Sequence, residues 1–400
     1  MSKKNYNFYI DLGSSKIRAA AFHKDDIDKN VYIEKDCLVS IKEDQLNLSG
    51  INKNLEKIIL ELEKKTSEYL SNLNLMIDTS SSLSVSLSIS KNYEGTKITK
   101  EKLQYLVQDA KQQILQNYNK LKIIHIIINN YSIDNENYNS APFNINCEVL
   151  TVDITFICFS KKIAESLENL FNKYQISITQ MLCTSYAKSI NYRDQFTNFE
   201  NIAFIDLGFE KTSIIIYKDE KLNFFNILPI GGNHITKDIS KILNLNLDIS
   251  EKIKINLNSD ILFSEKNEDT LILKDDFLKE LKNHEESLPL IKKIIFARID
   301  EILDLCFRAI ASQESFENTD RYKIVLMGNG SKILNDNSIY IKESLPIFEE
   351  ILFFEESVNN ICDSGIKLSE GINNQEVILV PKKVKKNGFF EKLFHLFNRD

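Results

Sequence analysis

Glycine and proline are scarce in this sequence, with 11 glycines and 5 prolines among 400 residues. Each glycine is therefore informative, because tight turns and close backbone approaches require this residue. No apolar run approaches the roughly 20 residues that a membrane-spanning helix needs. The lysines near the N-terminus are not followed by the apolar core of a signal peptide. We therefore expect the body of the protein to stay in the cytoplasm.

Cysteine and histidine also occur in patterns that exclude some kinds of site. There is no C-x-x-C pair, most cysteines lie in apolar runs, and the five histidines are dispersed. This pattern predicts small core residues rather than disulfides or ligands of zinc. The six cysteines are Cys37, Cys147, Cys158, Cys183, Cys306 and Cys362.

Overall composition is that of a globular chain, with 43% hydrophobic and 27% charged residues, which excludes disorder of the whole chain. A length of 400 residues is about two to three times that of a usual domain, so two or more lobes are expected. The net charge of -7 argues against a chain built to bind polyanions, and we expect no nucleic-acid partner.

An internal duplication is the main sign of domain organisation. Residues 8–22 form a β-rich run, the sequence Asp11-Leu12-Gly13, a few polar positions and a second β-rich run. Residues 202–217 repeat this pattern around Asp206-Leu207-Gly208. Each copy predicts a hairpin with glycine at its turn, and each hairpin opens one half of the chain.

Between the hairpins, residues 79–160 predict a small α/β insert. Apolar residues alternate with serines at 83–89, helical spacing follows at 100–115, and apolar strands are predicted at 123–128 and 149–159. Outside the insert, helices are predicted at 51–73, 162–174, 185–191 and 291–312, and strands at 224–228 and 322–327.

The two Asp-Leu-Gly turns also predict where chemistry takes place. If they face each other, Asp11 and Asp206 lie on opposite sides of a cleft, where carboxylates suit Mg²⁺. Backbone amides of the turns suit phosphate groups, because glycine leaves room for an anion to approach. Two more glycine turns follow strands in the second half, at 231–232 and 328–330. The pattern predicts a nucleotide cleft, although an isolated Asp-x-Gly is usually only a turn.

Five motifs carry a resemblance to a known family. They are Asp11 to Lys16 (Asp-Leu-Gly-Ser-Ser-Lys), Thr184-Ser185-Tyr186-Ala187, Gly231 to Thr236 (Gly-Gly-Asn-His-Ile-Thr), Glu251-x-x-Lys254 and Ile324 to Ser331. In this order they resemble the actin, Hsp70 and sugar-kinase ATPase superfamily, and within it the FtsA family of bacterial cell-division proteins. The Gly-Gly-Asn-His-Ile-Thr string is the most family-specific, and the resemblance covers nearly the whole chain.

The resemblance implies an α/β, actin-like fold of two lobes, which is a duplicated ribonuclease H-like arrangement with an FtsA-type inserted subdomain. The first lobe is expected at 1–78, 161–197 and about 360–380, and the insert at 79–160. The second lobe is expected at 198–359, with its outer part at about 233–300.

The resemblance also implies ATP and Mg²⁺ as cofactors, with Asp11 and Asp206 as the metal ligands. The expected cofactor-binding residues are Asp11, Gly13, Ser14, Ser15, Lys16, Asp206, Gly208, Thr212, Gly231, Gly232, Asn233, Glu251, Lys254, Gly328, Gly330 and Ser331. Alignment on the 185–187 motif places Gln180 where the fold positions a water-orienting glutamine, the alternative being an ordinary surface residue. Phe209 and Glu210 stand where the family has glycines, so ATP turnover is expected to be very slow at most.

The last twenty residues predict a membrane anchor. A basic linker at 381–388 precedes a helix-compatible segment at 389–400, whose large apolar residues fall on one side at helical spacing. The expected membrane-binding residues are Phe389, Phe390, Leu393, Phe394, Leu396, Phe397, Lys382, Lys383, Lys385 and Lys386. Such a helix suits an anionic membrane surface, and a helix docked on the core is the alternative.

By resemblance, the predicted function is an actin-like scaffold rather than a metabolic enzyme. It would bind ATP, form filaments with copies of itself, and tether the FtsZ ring through the C-terminal tail of FtsZ. Its place would be the cytoplasmic face of the cell membrane at the division site, with downstream division proteins as further partners. The alternatives are a type IV pilus module like PilM and, in another class, a small-molecule kinase of the same superfamily.

Overall fold

The computed structural model describes residues 5–39, 41–42, 45–46, 51–196, 201–256, 287–311, 322–334 and 348–370. The strands, in chain order, are β1 (Tyr6–Leu12), β2 (Lys16–His23), β3 (Val31–Asp36), β4 (Ile41–Lys42), β5 (Gln45–Leu46), β6 (Asn72–Met76), β7 (Leu83–Lys97), β8 (Leu121–Ile133), β9 (Glu136–Tyr138), β10 (Asn146–Ser160), β11 (Ser177–Leu182), β12 (Asn201–Leu207), β13 (Thr212–Lys218), β14 (Lys221–Leu228), β15 (Tyr322–Met327) and β16 (Phe348–Phe353). The helices are α1 (Ile51–Thr66), α2 (Lys100–Asn117), α3 (Lys161–Asn172), α4 (Thr184–Arg193), α5 (Gly232–Leu243), α6 (Leu247–Asn256), α7 (Ser287–Ala311) and α8 (Val358–Ser369).

The first half is built on a five-stranded sheet in the order β11-β6-β1-β2-β3. Strands β1, β2 and β3 are antiparallel neighbours, while β6 and β11 run parallel to β1. The β1–β2 hairpin pairs Asp11 with Arg18 and Leu12 with Ile17, so the first predicted hairpin is confirmed.

The second half repeats this arrangement in a sheet ordered β14-β13-β12-β15-β16. Strands β12, β13 and β14 are antiparallel, and β15 and β16 run parallel to β12. Counted within each half, both sheets therefore have the order 3-2-1-4-5. Asp11 and Asp206 occupy the same position near the end of the central strand of each sheet, which confirms the duplication.

Helices α4 and α8 pack against each other between the two sheets. Helix α8 lies on β1, β2 and β3, and α4 reaches β13, where the hydroxyls of Ser189 and Tyr217 are hydrogen bonded at 2.7 Å. Gly365 brings α8 close to β1, because a Cβ there would lie only 3.0 Å from the ring of Tyr9. One apolar core, which includes Phe204 and Met327, runs through both halves and joins them.

The other face of the second sheet is covered by α5 and α7. Helix α7 buries Ile291, Ile295, Ile299 and Ile302, at the spacing expected for one face of a helix. These side chains pack with Ile324 and other residues of the sheet in a second core.

The insert forms a separate layer with its own core, made by an antiparallel sheet ordered β7-β10-β8-β9 and by helix α2. The predicted α/β insert is confirmed, although β7 extends well past the predicted strand and β9 was not predicted. Polar contacts join it to β14: Ser84 Oγ donates to the carbonyl of Phe225 at 3.2 Å, and Lys221 Nζ donates to Asn130 Oδ1 at 3.3 Å.

The six cysteines are buried in the apolar cores, which confirms their predicted role as core residues. In the described part of the chain, no helix is both long enough and apolar enough to cross a membrane.

Candidate functional site

A cleft lies between the two halves, where β1 and β12 end in their Asp-Leu-Gly turns. Together with the open solvent at its mouth, it contains about 630 Å³ of space free of protein atoms. Seven predicted site residues line it: Asp11, Gly13, Ser14, Ser15, Asp206, Gly208 and Gly328. The two turns therefore lie at one cleft, as the sequence predicts.

Asp11 is 2% exposed, and both of its carboxylate oxygens are bonded within the first half. Arg18 Nη1 donates to Oδ2 at 2.9 Å, and Thr184 Oγ1 donates to Oδ1 at 2.8 Å. Arg18 is fixed in turn by Glu34, which accepts from its Nε at 2.9 Å. Strand pairing explains the arrangement, since Arg18 lies directly across from Asp11 in the hairpin.

A second charged cluster, the Lys188 triad, consists of Lys188, Asp206 and Glu356. Lys188 Nζ lies 2.6 Å from Asp206 Oδ2 and 2.8 Å from Glu356 Oε1, and none of the three side chains is more than 10% exposed. Burial lowers the pKa of Lys188, but the two carboxylates outweigh it and the pKa is raised overall. Burial raises the pKa of Glu356. The triad ties α4 to β12 and to the segment before α8.

The loop between β12 and β13, residues 208–211, contributes Phe209 and Lys211 to the cleft lining. Lys211 Nζ donates to the backbone carbonyl of Asp78, and burial lowers the pKa of its amine. The Asp78 carboxylate accepts from the backbone N–H of Ser185 at 3.1 Å, near the start of α4, and burial raises its pKa. The charged side chain that this loop gives to the cleft is thus a lysine.

The glycine turn at residues 231–233 holds that loop in place from behind. The N–H of Gly232 donates to the carbonyl of Gly208 at 3.0 Å, and the N–H of Asn233 donates to that of Phe209 at 2.6 Å. A Cβ on Gly231 would lie 2.6 Å from the carbonyl oxygen of Gly208. Gly231, Gly232 and Asn233 therefore act on the cleft through the loop.

Glu251 and Lys254, predicted to bind the cofactor, fasten α6 to α5. Lys254 Nζ is 2.7 Å from Glu251 Oε2, 2.9 Å from Thr236 Oγ1 and 3.0 Å from the Gly232 carbonyl. The ring of Phe209 lies 5.5 Å from the same nitrogen, a distance typical of a cation–π contact. The contacts of the lysine in this structure are thus with the protein itself.

The turn at residues 328–331 closes the cleft beside β12. Gly328 has a φ of +85°, and its N–H donates to Glu356 Oε2 at 3.1 Å. A Cβ on Gly330 would lie 2.7 Å from the carbonyl oxygen of Leu207, so this glycine lets the turn pack on the strand. Ser331 is buried and donates its hydroxyl to the carbonyl of Gly328 at 2.7 Å.

Three further predicted site residues also lie outside the cleft lining. Lys16 begins β2, and its Nζ is held 2.5 Å from Glu34 Oε1 on the neighbouring strand. Thr212 is fully buried at the start of β13 and donates its hydroxyl to the carbonyl of Ile230 at 2.7 Å. Gln180 lines a different cavity, between β8 and β11.

The sequence reasoning also missed five charged residues that line the cleft: Arg18, Asp78, Lys188, Lys211 and Glu356. Arg18 is the one that a pattern signals, since a hairpin with its turn at Gly13 places it opposite Asp11. Asp78, Lys188 and Glu356 come from distant segments and only the fold brings them together.

Comparison with known proteins relates this chain to one family. The model "Cell division protein FtsA" matches residues 203–345, and the model "SHS2 domain inserted in FTSA" matches residues 79–158. FtsA of Buchnera aphidicola subsp. Acyrthosiphon pisum (strain APS) is 25% identical over 388 residues, 93% of this chain and 88% of that protein. The chain is a divergent member of the FtsA family. FtsA of Agrobacterium fabrum (strain C58 / ATCC 33970) is 24% identical over 243 residues, 60% of this chain and 54% of that protein.

Solved structures agree with an actin-like fold for this FtsA-family chain. The PilM-PilN type IV pilus biogenesis complex aligns with a TM-score of 0.55 and 12% identity, covering 92% of this chain and 97% of that one. MreB5 of Spiroplasma citri bound to ADP aligns with a TM-score of 0.50 and 11% identity, covering 93% and 98%. At these identities the likeness concerns the fold alone, and it confirms the predicted fold class.

The donor set of this FtsA-family cleft does not fit direct coordination of Mg²⁺ by Asp11 and Asp206. Asp11 is bonded through both oxygens, and Asp206 is paired with Lys188. Among the residues that the structure describes, no group of three or more histidine, cysteine, aspartate or glutamate side chains is placed to hold a metal ion. The predicted membrane-binding residues, from Lys382 to Phe397, lie outside the described residues.

Proposed function

We propose that this FtsA-family chain binds an adenine nucleotide in the cleft between its halves and acts as a scaffold in cell division. The observation that carries the nucleotide proposal is the duplicated Asp-Leu-Gly turn, present once in each half and meeting at a single cleft. The ADP-bound MreB5 structure, which has this fold, supports it.

In this proposal the phosphates lie against the first turn, at residues 13–15. The carbonyls of Ser14 and Ser15 accept from the N–H groups of Val39 and Cys37, at 3.0 and 2.9 Å. The turn is thereby fixed before a ligand arrives, and preorganised donors bind an anion with less loss of conformational entropy. Slow turnover is expected, because Phe209 and Glu210 stand where the family has glycines and Gln180 lies outside the cleft lining.

We further propose that the chain assembles with copies of itself and tethers FtsZ to the cytoplasmic face of the membrane at the division site. Its membership of a cell-division family supports FtsZ as the partner. The basic, amphipathic C-terminal sequence supports attachment to the membrane. No observation in the cleft favours the pilus or kinase alternatives over this one.

Co-sedimentation tests this function directly. The full chain is centrifuged with FtsZ filaments alone, with anionic liposomes alone, and with both. An adaptor is expected in both single pellets, and in the mixture it should bring FtsZ down with the liposomes. Binding to liposomes but not to FtsZ would contradict the tether. Isothermal titration calorimetry with ATP and ADP tests nucleotide binding in the cleft separately. Absence of binding heat at millimolar nucleotide would contradict that part of the proposal.

The double substitution Phe390→Glu and Phe394→Glu is expected to abolish liposome binding. Each large apolar side chain fully buried at the membrane contributes roughly 1.5–3 kcal/mol, and partial insertion of the helix reduces that figure. Liposome flotation is the measurement. His395→Glu with Asn398→Glu is the matched control, since it adds two carboxylates on the polar side and should weaken binding far less. If the phenylalanine variant still floated, the segment would not be the anchor.

A further inference from the structure

The cations of the cleft are bonded to the two carboxylates that the sequence predicts as metal ligands. Arg18 and Thr184 take both oxygens of Asp11, and Lys188 takes an oxygen of Asp206. A divalent ion coordinated by Asp11 would compete with buried hydrogen bonds, one of them charge-assisted. It would also lie close to the positive charges of Arg18 and Lys188, which repel it in a cleft of low dielectric constant.

Lys211 is placed to meet an anion in the same cleft. Its side chain comes from the loop after β12, opposite the first turn, and lines the cleft. An ammonium group has three donors, and among the described residues the Asp78 carbonyl is the hydrogen-bond partner of this one. Two donors are therefore left for a ligand. This residue supplies the charge that a polyphosphate needs, in the loop where Phe209 and Glu210 predict very slow turnover.

We propose that the Lys211 ammonium neutralises the nucleotide phosphates in the cleft, so that the chain binds ATP without a divalent metal ion. This inference rests on the proposed binding of nucleotide in the cleft. Arg18 and Lys188 keep Asp11 and Asp206 engaged, which lowers the repulsion between these carboxylates and the phosphates. The lysine is a binding residue in this role, and no catalytic step depends on it.

Calorimetric titration of the full chain with ATP, in excess EDTA and in excess MgCl₂, tests the proposal. The wild-type dissociation constants in the two conditions are expected to agree within about threefold, since a charge-assisted bond from the protein supplies the neutralisation. Lys211→Gln should weaken binding in EDTA by about 10- to 100-fold, the size expected for hydrogen bonds to a charged group. Lys211→Arg keeps the charge and should retain most of the affinity.

Two controls keep the outcomes distinct. Lys241→Gln removes one charge from an exposed position on α5, outside the cleft lining, and should leave the affinity unchanged. Thermal unfolding of each variant identifies one that has failed to fold, and the Arg variant then still tests the charge. Binding that requires Mg²⁺ would overturn this inference while the proposed function stands. If Lys211→Gln bound ATP in EDTA with the wild-type affinity, this result would also overturn the inference. Absence of binding in both conditions would overturn the proposed nucleotide function itself.

Discussion

Replacing Lys188 by methionine is expected to lower the free energy of unfolding by about 3–5 kcal/mol, the range found when one partner of a buried ion pair is removed. The substitution leaves Asp206 and Glu356 facing each other with no cation between them. Both carboxylates are nearly inaccessible to water, so they would have to take up protons or rearrange. Equilibrium unfolding in urea, analysed by linear extrapolation, measures the change.

The pH dependence of this loss has a definite direction. Without Lys188 the pKa of Glu356 rises further in the folded state, so the folded variant binds more protons than the unfolded chain as pH falls. The stability difference from the wild type should therefore shrink toward acidic pH. Adding Glu356→Gln to Lys188→Met should recover part of the loss, because it removes one of the unpaired charges.

The exposed pair Lys332–Glu355 provides the matched control. Its side chains are 53% and 78% exposed at a separation of 3.2 Å, and exposed pairs contribute about 0–1 kcal/mol. Lys332→Met should therefore change little. If Lys188→Met cost no more than the control, the Lys188 triad would not join the halves in the way the distances indicate.

Gly328→Ala is expected to destabilise the fold by about 2–5 kcal/mol, from left-handed backbone strain and overpacking together. The φ of Gly328 is +85°, and an added Cβ would lie 2.6 Å from the Leu207 carbonyl oxygen and still closer to Asp206 Oδ1. Neither neighbour can move freely, since one is backbone and the other belongs to the Lys188 triad. Nucleotide affinity should fall as well, because the same atoms shape the cleft.

Gly95→Ala separates the two causes. Gly95 also has a positive φ, +72°, but its added Cβ would meet the flexible side chain of Glu148 at 3.1 Å. Only the backbone strain then remains, at about 1–3 kcal/mol. Unfolding in urea compares the two variants, and equal losses would mean that the contact with Asp206 and Leu207 carries no cost.

The backbone of the site was predictable because its pattern is local. Asp11-Leu12-Gly13 and Asp206-Leu207-Gly208 each stand between two β-rich runs, and such runs with a glycine turn form hairpins wherever they occur. The similarity of the two copies then predicted a duplicated fold. Strands such as β6 and β11 were not predicted, although both sheets need their parallel partners.

The side chains of the site were less predictable, because their directions depend on distant partners. Lys16 was expected to bind phosphate, but Glu34 on the next strand captures its amine. Glu210 was expected to be unfavourable for phosphate because of its negative charge. Lys211 beside it instead lines the cleft and donates a hydrogen bond to the carbonyl of Asp78, more than a hundred residues away in sequence. Pairing with Asp206 and Glu356 gives Lys188 its place, and neither partner is near it in the chain.

The contacts between the insert and β14 make the insert an indicator of how far the cleft is closed. Ser84 and Asn130 belong to a layer that continues from the first half, while Phe225 and Lys221 move with the second. A hinge rotation that widened the cleft would slide these polar contacts past one another, since they are few and lie at the edge of the sheet. The insert would thereby change its angle to the second half.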